Sequence, residues 1–312
     1  MSRSESQYLN QLRLVRKHGE VGPDRTGTGT QSIFGPQMEY DLREGFPLLT
    51  TKRMTMGTIA TELCWMLKGD RNIQYLVERN CNIWNEWPFV SFLQATGQQI
   101  PDQGSDEWKE KLADYVKSIK DDDAFAEEFG DLGPVYGHQW RHWPDGSEQG
   151  IDQLGAAQQT IVENPRSRRN IVSAWNVGEL EAMNKSGLPP CHMMYQFYVT
   201  NDGSLDMKLY QRSADMFLGV PFNMAQYALL LTMMAQVTDT TPRRFVHTLG
   251  DTHIYLNHIE QVDLQLSRSK QQFAPPTISL DPSIKHLEEF EPEHITIENY
   301  NHHPAIRAPV AI

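Results

Sequence analysis

Hydrophobic positions recur along this chain at helical spacing in some stretches and at strand spacing in others. Over residues 6–19, Tyr8, Leu9, Leu12, Leu14 and Val15 predict an amphipathic opening helix. Gln31–Tyr40 alternates and predicts a strand. Thr58–Lys68 predicts a buried helix: Ile59, Leu63, Met66 and Leu67 form its stripe, Trp65 lies alongside, and Gly69-Asp70 closes it. Ile151–Asn164 predicts a further helix and Ile171–Trp175 a strand. Met193–Val199 and Leu205–Gln211 flank Thr200-Asn201-Asp202-Gly203-Ser204, a strong antiparallel hairpin signal. Asn223–Val237 is the most apolar helical stretch and predicts a central core element. Residues 245–253 read as a strand, and a helix follows through Leu266. The tail Ala308-Pro309-Val310-Ala311-Ile312 is apolar and suited to docking.

Composition narrows the classes. The chain has 312 residues, of which 39% are hydrophobic, enough for a sizeable core. Its formal net charge of −12 disfavours non-specific nucleic-acid binding, so an anionic ligand would need a local arginine cluster. The three cysteines, at 64, 81 and 191, lack the spacing of a disulfide framework or zinc site, which predicts no metal and a reducing, cytoplasmic setting. Neither a signal peptide nor an apolar run of about 18 residues is visible. Residues 88–130 differ in composition. A polar loop at 98–106, a charged amphipathic helix at Glu107–Ile119 and the acidic Asp121-Asp122-Asp123 read as a peripheral helical insertion within a single domain spanning 1–312.

The densest chemistry lies in Leu188-Pro189-Pro190-Cys191-His192 and in the run from Gln211-Arg212-Ser213-Ala214-Asp215 to Asn223. An ordinary thiol is only a few per cent thiolate at neutral pH, so a nucleophilic Cys191 needs a nearby cation. On a strand, His192 would face away from Cys191. Arg212, on the other limb of the hairpin, is the better activator. A small buried core cysteine is the plain alternative. Asn223 carries both donor and acceptor, which suits an edge with N–H beside C=O, such as uracil; aspartate there would favour cytosine. Asp24-Arg25-Thr26-Gly27-Thr28-Gly29-Thr30 is either a solvated turn or a phosphate loop charged by Arg25. Arg166, Arg168 and Arg169 suggest an anion partner. Glu62 inside an apolar helix is either paired or raised in pKa. Trp84 and Trp87 could wall a flat ligand. The turn at 130–141 favours side-chain exposure of Tyr136.

Together these motifs resemble the thymidylate synthase family. The resemblance runs from Asp24 to the C-terminus through Trp175-Asn176-Val177-Gly178-Glu179-Leu180, Pro190-Cys191-His192, Gln211–Asp215, Phe217–Asn223 and Gly250-Asp251-Thr252-His253-Ile254-Tyr255. The insertion at 88–130 is similar to that of the longer bacterial members. The resemblance implies an α/β (α+β type) fold: a large mixed sheet flanked by helices, packing sheet-to-sheet in a homodimer.

It also implies reductive methylation of dUMP to dTMP, with 5,10-methylenetetrahydrofolate giving both carbon and hydride and leaving as dihydrofolate. Cys191 would attack C6 of the uracil. Tyr136 would assist loss of the C5 proton, Glu62 would organise proton transfer, and Trp84 would keep water from the hydride step. Arg212 and Asp215 complete the implied catalytic set. Phosphate would be held by Arg25, Arg212 and Ser213, with Arg168 and Arg169 donated by the partner subunit. His253 and Tyr255 would hold the 3′-hydroxyl, and Gln211 and Asn223 the pyrimidine. Folate would meet Lys52, Ile83, Trp84, Asp215, Leu218, Phe222, Ala311 and Ile312. Three departures stand out: Asn184-Lys185-Ser186-Gly187 lengthens the link before Cys191, Asn85 replaces a common aspartate, and Thr55 stands where some relatives carry histidine. Two other readings are a pyrimidine-nucleotide hydroxymethylase, which Asn223 and Trp84 argue against, and a nucleotide- or RNA-binding regulator, with binding to its own messenger as a secondary role.

Overall fold

The computed structural model describes residues 3–185 and 189–310. Ser186, Gly187 and Leu188 of the lengthened link, and Ala311 and Ile312 of the tail, lie outside the described residues. In chain order the elements are α1 (Arg3–His18), β1 (Glu20–Gly22), β2 (Thr30–Phe34), β3 (Gln37–Asp41), α2 (Met56–Leu67), α3 (Gln74–Glu78), α4 (Glu86–Ala95), α5 (Asp106–Asp121), α6 (Asp123–Phe129), α7 (Gly137–Arg141), α8 (Gln153–Glu163), β4 (Ile171–Ser173), α9 (Leu180–Lys185), β5 (His192–Val199), β6 (Ser204–Asp215), α10 (Gly219–Val237), β7 (Thr241–Tyr255), α11 (Ile259–Ser267), β8 (Thr277–Leu280) and β9 (Ile295–Glu298). They group into two compact units. Met1–Ala60, Gly155–Val172 and Cys191–Ile312 form the first; Thr61–Leu154 and Ser173–Pro190 form the second.

The first unit is built on a mixed sheet of order β1-β2-β7-β6-β5-β4, with β3 also paired to β7. The hairpin β5–β6 is antiparallel, while β6 and β7 run parallel, with Ser213 opposite Asp251 and Asp215 opposite His253. A parallel pair needs a crossover, and α10 supplies it. Leu229, Leu230, Leu231, Met233 and Met234 of this helix are buried, as expected of a helix apolar all round. It starts at Gly219, four residues before the predicted boundary, because Pro221 sits in the first turn, where its missing N–H costs nothing.

The single strand predicted over Gln31–Tyr40 is two strands. β2 pairs with Asp251–Tyr255 and β3 with Arg244–Thr248, both along the same edge of β7. The break falls at Gly35-Pro36. Gly35 has a φ of 83° and its N–H donates to Gly250 O at 3.0 Å, while Pro36 O accepts from Leu249 N at 2.9 Å. Proline cannot donate to a ladder, so the edge is carried across the kink by these two bonds. β7 outruns the predicted 245–253 at both ends because β6 covers it on one side, and Arg243 pairs with Asp206 of β6 at 2.7 and 2.6 Å.

In the second unit, residues 88–130 are mostly helical (most of α4, with α5 and α6), around Phe89, Phe92, Trp108, Tyr115, Phe125 and Phe129. The hydroxyl of Ser105 caps α5 by accepting from Trp108 N at 3.1 Å. Helix α8 starts at Gln153, not Ile151, because Ile151 forms an antiparallel bridge with Trp143.

Candidate active site

Cys191 sits immediately before β5, and its carbonyl accepts from Arg212 N at 2.8 Å. The hairpin therefore brings these two residues opposite each other. The charge balance at the thiol is less simple than expected. Burial pushes the Cys191 thiol above its ordinary value, and the Arg212 guanidinium pulls it down by a smaller amount. At rest, burial therefore outweighs the opposing pull of Arg212 at this thiol.

His192 turns away from that role into a buried chain of hydrogen bonds. Its Nε2 lies 3.1 Å from Asn223 Nδ2, and its Nδ1 lies 2.9 Å from the Tyr227 hydroxyl. Asn223 Oδ1 accepts from Gln211 Nε2 at 3.1 Å. Gln211 Nε2 also donates to Ser213 O at 2.9 Å, and Gln211 Oε1 lies 2.8 Å from His247 Nε2. A carbonyl can only accept, so Ser213 fixes which end of the Gln211 amide faces it, and each later polarity follows. His247 donates through Nε2, Gln211 donates to Asn223, Asn223 donates to His192 Nε2, and His192 donates through Nδ1 to Tyr227. The order requires a neutral His192, whose Nε2 accepts, and is compatible with a neutral His247. Burial takes His192 to about 3, helped by His247 and Arg212, and burial alone takes His247 to about 3. Asn223 keeps one N–H and one lone pair outside the chain, while both amide hydrogens of Gln211 are committed within it.

On the same unit, Asp24 organises the Gly/Thr loop. Its carboxylate accepts from Thr26 N at 2.9 Å, Thr26 Oγ1 at 2.6 Å and Gly29 N at 2.7 Å, which holds it below the usual carboxylate range. Gly27 and Gly29 have φ of 76° and 79°, a conformation glycine adopts without strain. Arg25 is exposed on this preformed turn. Asp251 accepts from the His253 ring at 2.9 Å, and the His253 and Tyr255 rings meet edge-on at 5.2 Å. Burial, followed by Asp215, raises the Tyr255 phenol to about 12. Asp215 Oδ1 accepts from Phe217 N at 2.9 Å and Leu218 N at 3.3 Å, forming the turn into α10 that carries Leu218 and Phe222. Lys52 is buried: its ammonium donates to Phe217 O and lies 3.8 Å from the Phe217 ring, with its pKa lowered by burial to about 7. Arg166, Arg168 and Arg169 are exposed before β4.

In the second unit Glu62 is paired: it accepts from Trp84 Nε1 at 2.8 Å. The Trp84 ring lies 5.3 Å from Trp87, 6.5 Å from Trp65 and 6.0 Å from Tyr136. Ile83 beside it is exposed. Tyr136 is buried, against the exposure expected from the turn, because its ring joins this aromatic cluster. Its φ of 32° and ψ of −97° are strained for a residue with a Cβ. The strain is held by its neighbours. Gly137 lies so close to the Met66 backbone that a Cβ would strike it. Gln139 donates to Pro134 O at 2.8 Å and to Glu179 at 2.6 Å, while Asn176 donates to Gln139 Oε1 at 3.2 Å. The Trp175–Leu180 motif was visible in the sequence without a role; here it buttresses the Tyr136 turn.

The sequence reading missed His192 as a partner of Asn223, and missed His247 and Tyr227. For His192 and His247 the only signal is hydrophilicity at strand positions that alternate into the core, and for Tyr227 a hydroxyl within an otherwise apolar helix. Among the described residues no group of three or more His, Cys, Asp or Glu could hold a metal ion. No helix among them is long and apolar enough to cross a membrane.

Comparison with known proteins gives the family. The family model for thymidylate synthase matches residues 6–312. A thymidylate synthase of Mycoplasma mobile is 50% identical over 306 residues, covering 98% of this chain and 99% of the relative. A match of that extent, over a chain bearing the cysteine, the arginines and the amide chain described above, means that this protein belongs to the thymidylate synthase family.

Proposed function

We propose that this chain converts dUMP to dTMP with 5,10-methylenetetrahydrofolate as carbon and hydride donor, releasing dihydrofolate. The observation that carries this reading is the Asn223 amide, fixed between Gln211 and His192, with the residue before His192 a thiol that the Arg212 charge pulls down. Its outward N–H and lone pair match uracil O4 and N3–H. As a thiolate, favoured by Arg212, Cys191 forms the bond to C6 while the C5=C6 π bond opens and its electron pair passes to C5 and the O4 carbonyl. Arg25, Arg212 and Ser213 bind phosphate, and His253, oriented by Asp251, holds the 3′-hydroxyl with Tyr255. Gln211 acts on the pyrimidine through Asn223, since its own amide hydrogens are spent. Asp215, Leu218 and Phe222 suit the pterin, as does Ile83, and Ala311 and Ile312, outside the described residues, belong to the same proposed folate set. Lys52 acts on the same side by supporting Phe217. Glu62 handles protons at the uracil O4 and the folate, Tyr136 assists at C5, and Trp84 excludes water while donating to Glu62. The co-substrate supplies the one-carbon unit and the hydride. The whole of 1–312 works as one catalytic domain, with 88–130 as a peripheral addition, in the cytoplasm.

A homodimer is part of this reading. The sheet exposes Met194 and Tyr198 of β5 and Lys208 of β6. In register, Met194 faces Tyr210 and then Thr248, and Gln196 faces Lys208 and then Val246. Such a broad mixed surface on a central sheet suits a second copy. Arg168 and Arg169 would then serve the partner's phosphate site, which explains arginines standing exposed in a chain of net charge −12.

The test is purified protein with dUMP and methylenetetrahydrofolate, following dihydrofolate absorbance and product mass. A methylated nucleotide with dihydrofolate supports the reading; a hydroxymethyl product, heavier by one oxygen, or no product refutes it. Mixing inactive Cys191→Ser with inactive Arg168→Ala/Arg169→Ala protein tests the shared site. Recovered activity is expected, and none would rule out donation across the dimer.

A further inference from the structure

His247 is a fully buried residue of β7 with no assigned part in the reaction. Its Nε2 sits 2.8 Å from Gln211 Oε1, and its Nδ1 has no hydrogen-bond partner among the described residues. A buried histidine kept for general polarity would satisfy both nitrogens. This one satisfies only the nitrogen that touches Gln211, and leaves the other orphaned at a cost. The expense falls on a single contact. That contact holds the acceptor end of an amide whose donor end straddles Ser213 O and Asn223 Oδ1, at 2.9 and 3.1 Å. Asn223 is pinned in turn between Gln211 and His192.

We infer that His247 is a positioning residue for pyrimidine selection, holding Gln211 so that the Asn223 amide presents one donor and one acceptor in a fixed order. The inference rests on the reading of Asn223 as the uracil selector. Without the His247 donor, Gln211 keeps the Ser213 carbonyl but loses its opposite tether. The amide of Asn223 then rocks, and its match to uracil over cytosine weakens. The chain runs in one direction, so His247 must carry its proton on Nε2 and His192 on Nδ1.

The experiment compares kcat/KM for dUMP and dCMP in four proteins: the native enzyme, His247→Phe, His247→Gln and Asn223→Asp. His247→Phe should narrow the dUMP-to-dCMP ratio roughly fivefold, the worth of one net hydrogen bond. His247→Gln, which again offers an N–H, should recover most of it. A general loss of fold would lower both rates and leave the ratio alone. If Asn223→Asp fails to move preference towards dCMP, the reading of Asn223 falls, and the inference with it. If Asn223→Asp shifts preference but His247→Phe leaves the ratio unchanged, only the inference is overturned. Nitrogen-15 NMR of histidine-labelled native protein gives a check that needs no variant: protonation of His247 on Nδ1 instead of Nε2 would overturn it outright.

Discussion

Gly250 offers a sharp test of how the sheet positions Arg212. It lies on β7 opposite Arg212 of the parallel strand β6. A Cβ built there would stand 2.5 Å from Arg212 O and 3.1 Å from Arg212 C and Cα. An ordinary carbon–oxygen contact is about 3.3 Å or more, so the overlap is roughly 0.8 Å. Neither side can yield by rotating a side chain, because every struck atom is backbone. The φ of Gly250 is outside the left-handed region, so alanine is not penalised by its own conformation and the substitution isolates the close approach. Parting the strands should cost about 1–3 kcal/mol, as overpacking does elsewhere. It should also shift Arg212 by a large part of an ångström, enough to lower kcat/KM by roughly ten- to a hundredfold. Urea unfolding and steady-state kinetics of Gly250→Ala read both effects. Gly57→Ala is the control, since nothing lies within 4 Å of its Cβ position and its φ is also ordinary. A Gly250→Ala enzyme within 0.5 kcal/mol of native and fully active would refute the claim that this contact sets the Arg212 position.

Three further outcomes follow from the same geometry. Alkylation of Cys191 by iodoacetamide should accelerate only above the pH range of an ordinary thiol, and Arg212→Met should move that rise higher still; a plateau below pH 8 would show that burial does not dominate. His192 and His247 have folded pKa values near 3, below the unfolded value of about 6.5, so between those limits the unfolded chain binds more protons. Their stabilisation is complete above pH 6.5 and is lost as pH falls towards 3, so His247→Gln should flatten the loss of urea midpoint between pH 6.5 and 4. Lys52 titrates near 7 when folded and near 10.5 when unfolded, so stability should rise with pH across that window, and Lys52→Met should remove part of the slope in the same measurement.

By itself the sequence determined the hairpin of β5 and β6, the all-round apolar helix α10, and the pairing of Cys191 with Arg212. Each follows from local signals: turn residues between alternating strands, an unbroken apolar run, and two chemistry-bearing residues at matching ends of a hairpin. Motif resemblance then named the family without any geometry. What the sequence could not supply was whatever depends on burial or on residues distant in the chain. Gln31–Tyr40 reads as one strand, and only the two bonds of Gly35-Pro36 to β7 show a kink between two strands on one edge. Tyr136 reads as exposed because its turn is glycine-rich, yet an aromatic cluster buries it. Arg212 reads as the activator of Cys191, but the sign of the net shift is a contest between desolvation and charge that no spacing encodes. The run from His247 through Gln211 and Asn223 to His192 joins three strands and a helix by bonds whose polarity is fixed by one backbone carbonyl. Sequence lists the groups; only folding, by removing water from all of them at once, decides which must donate and which must accept.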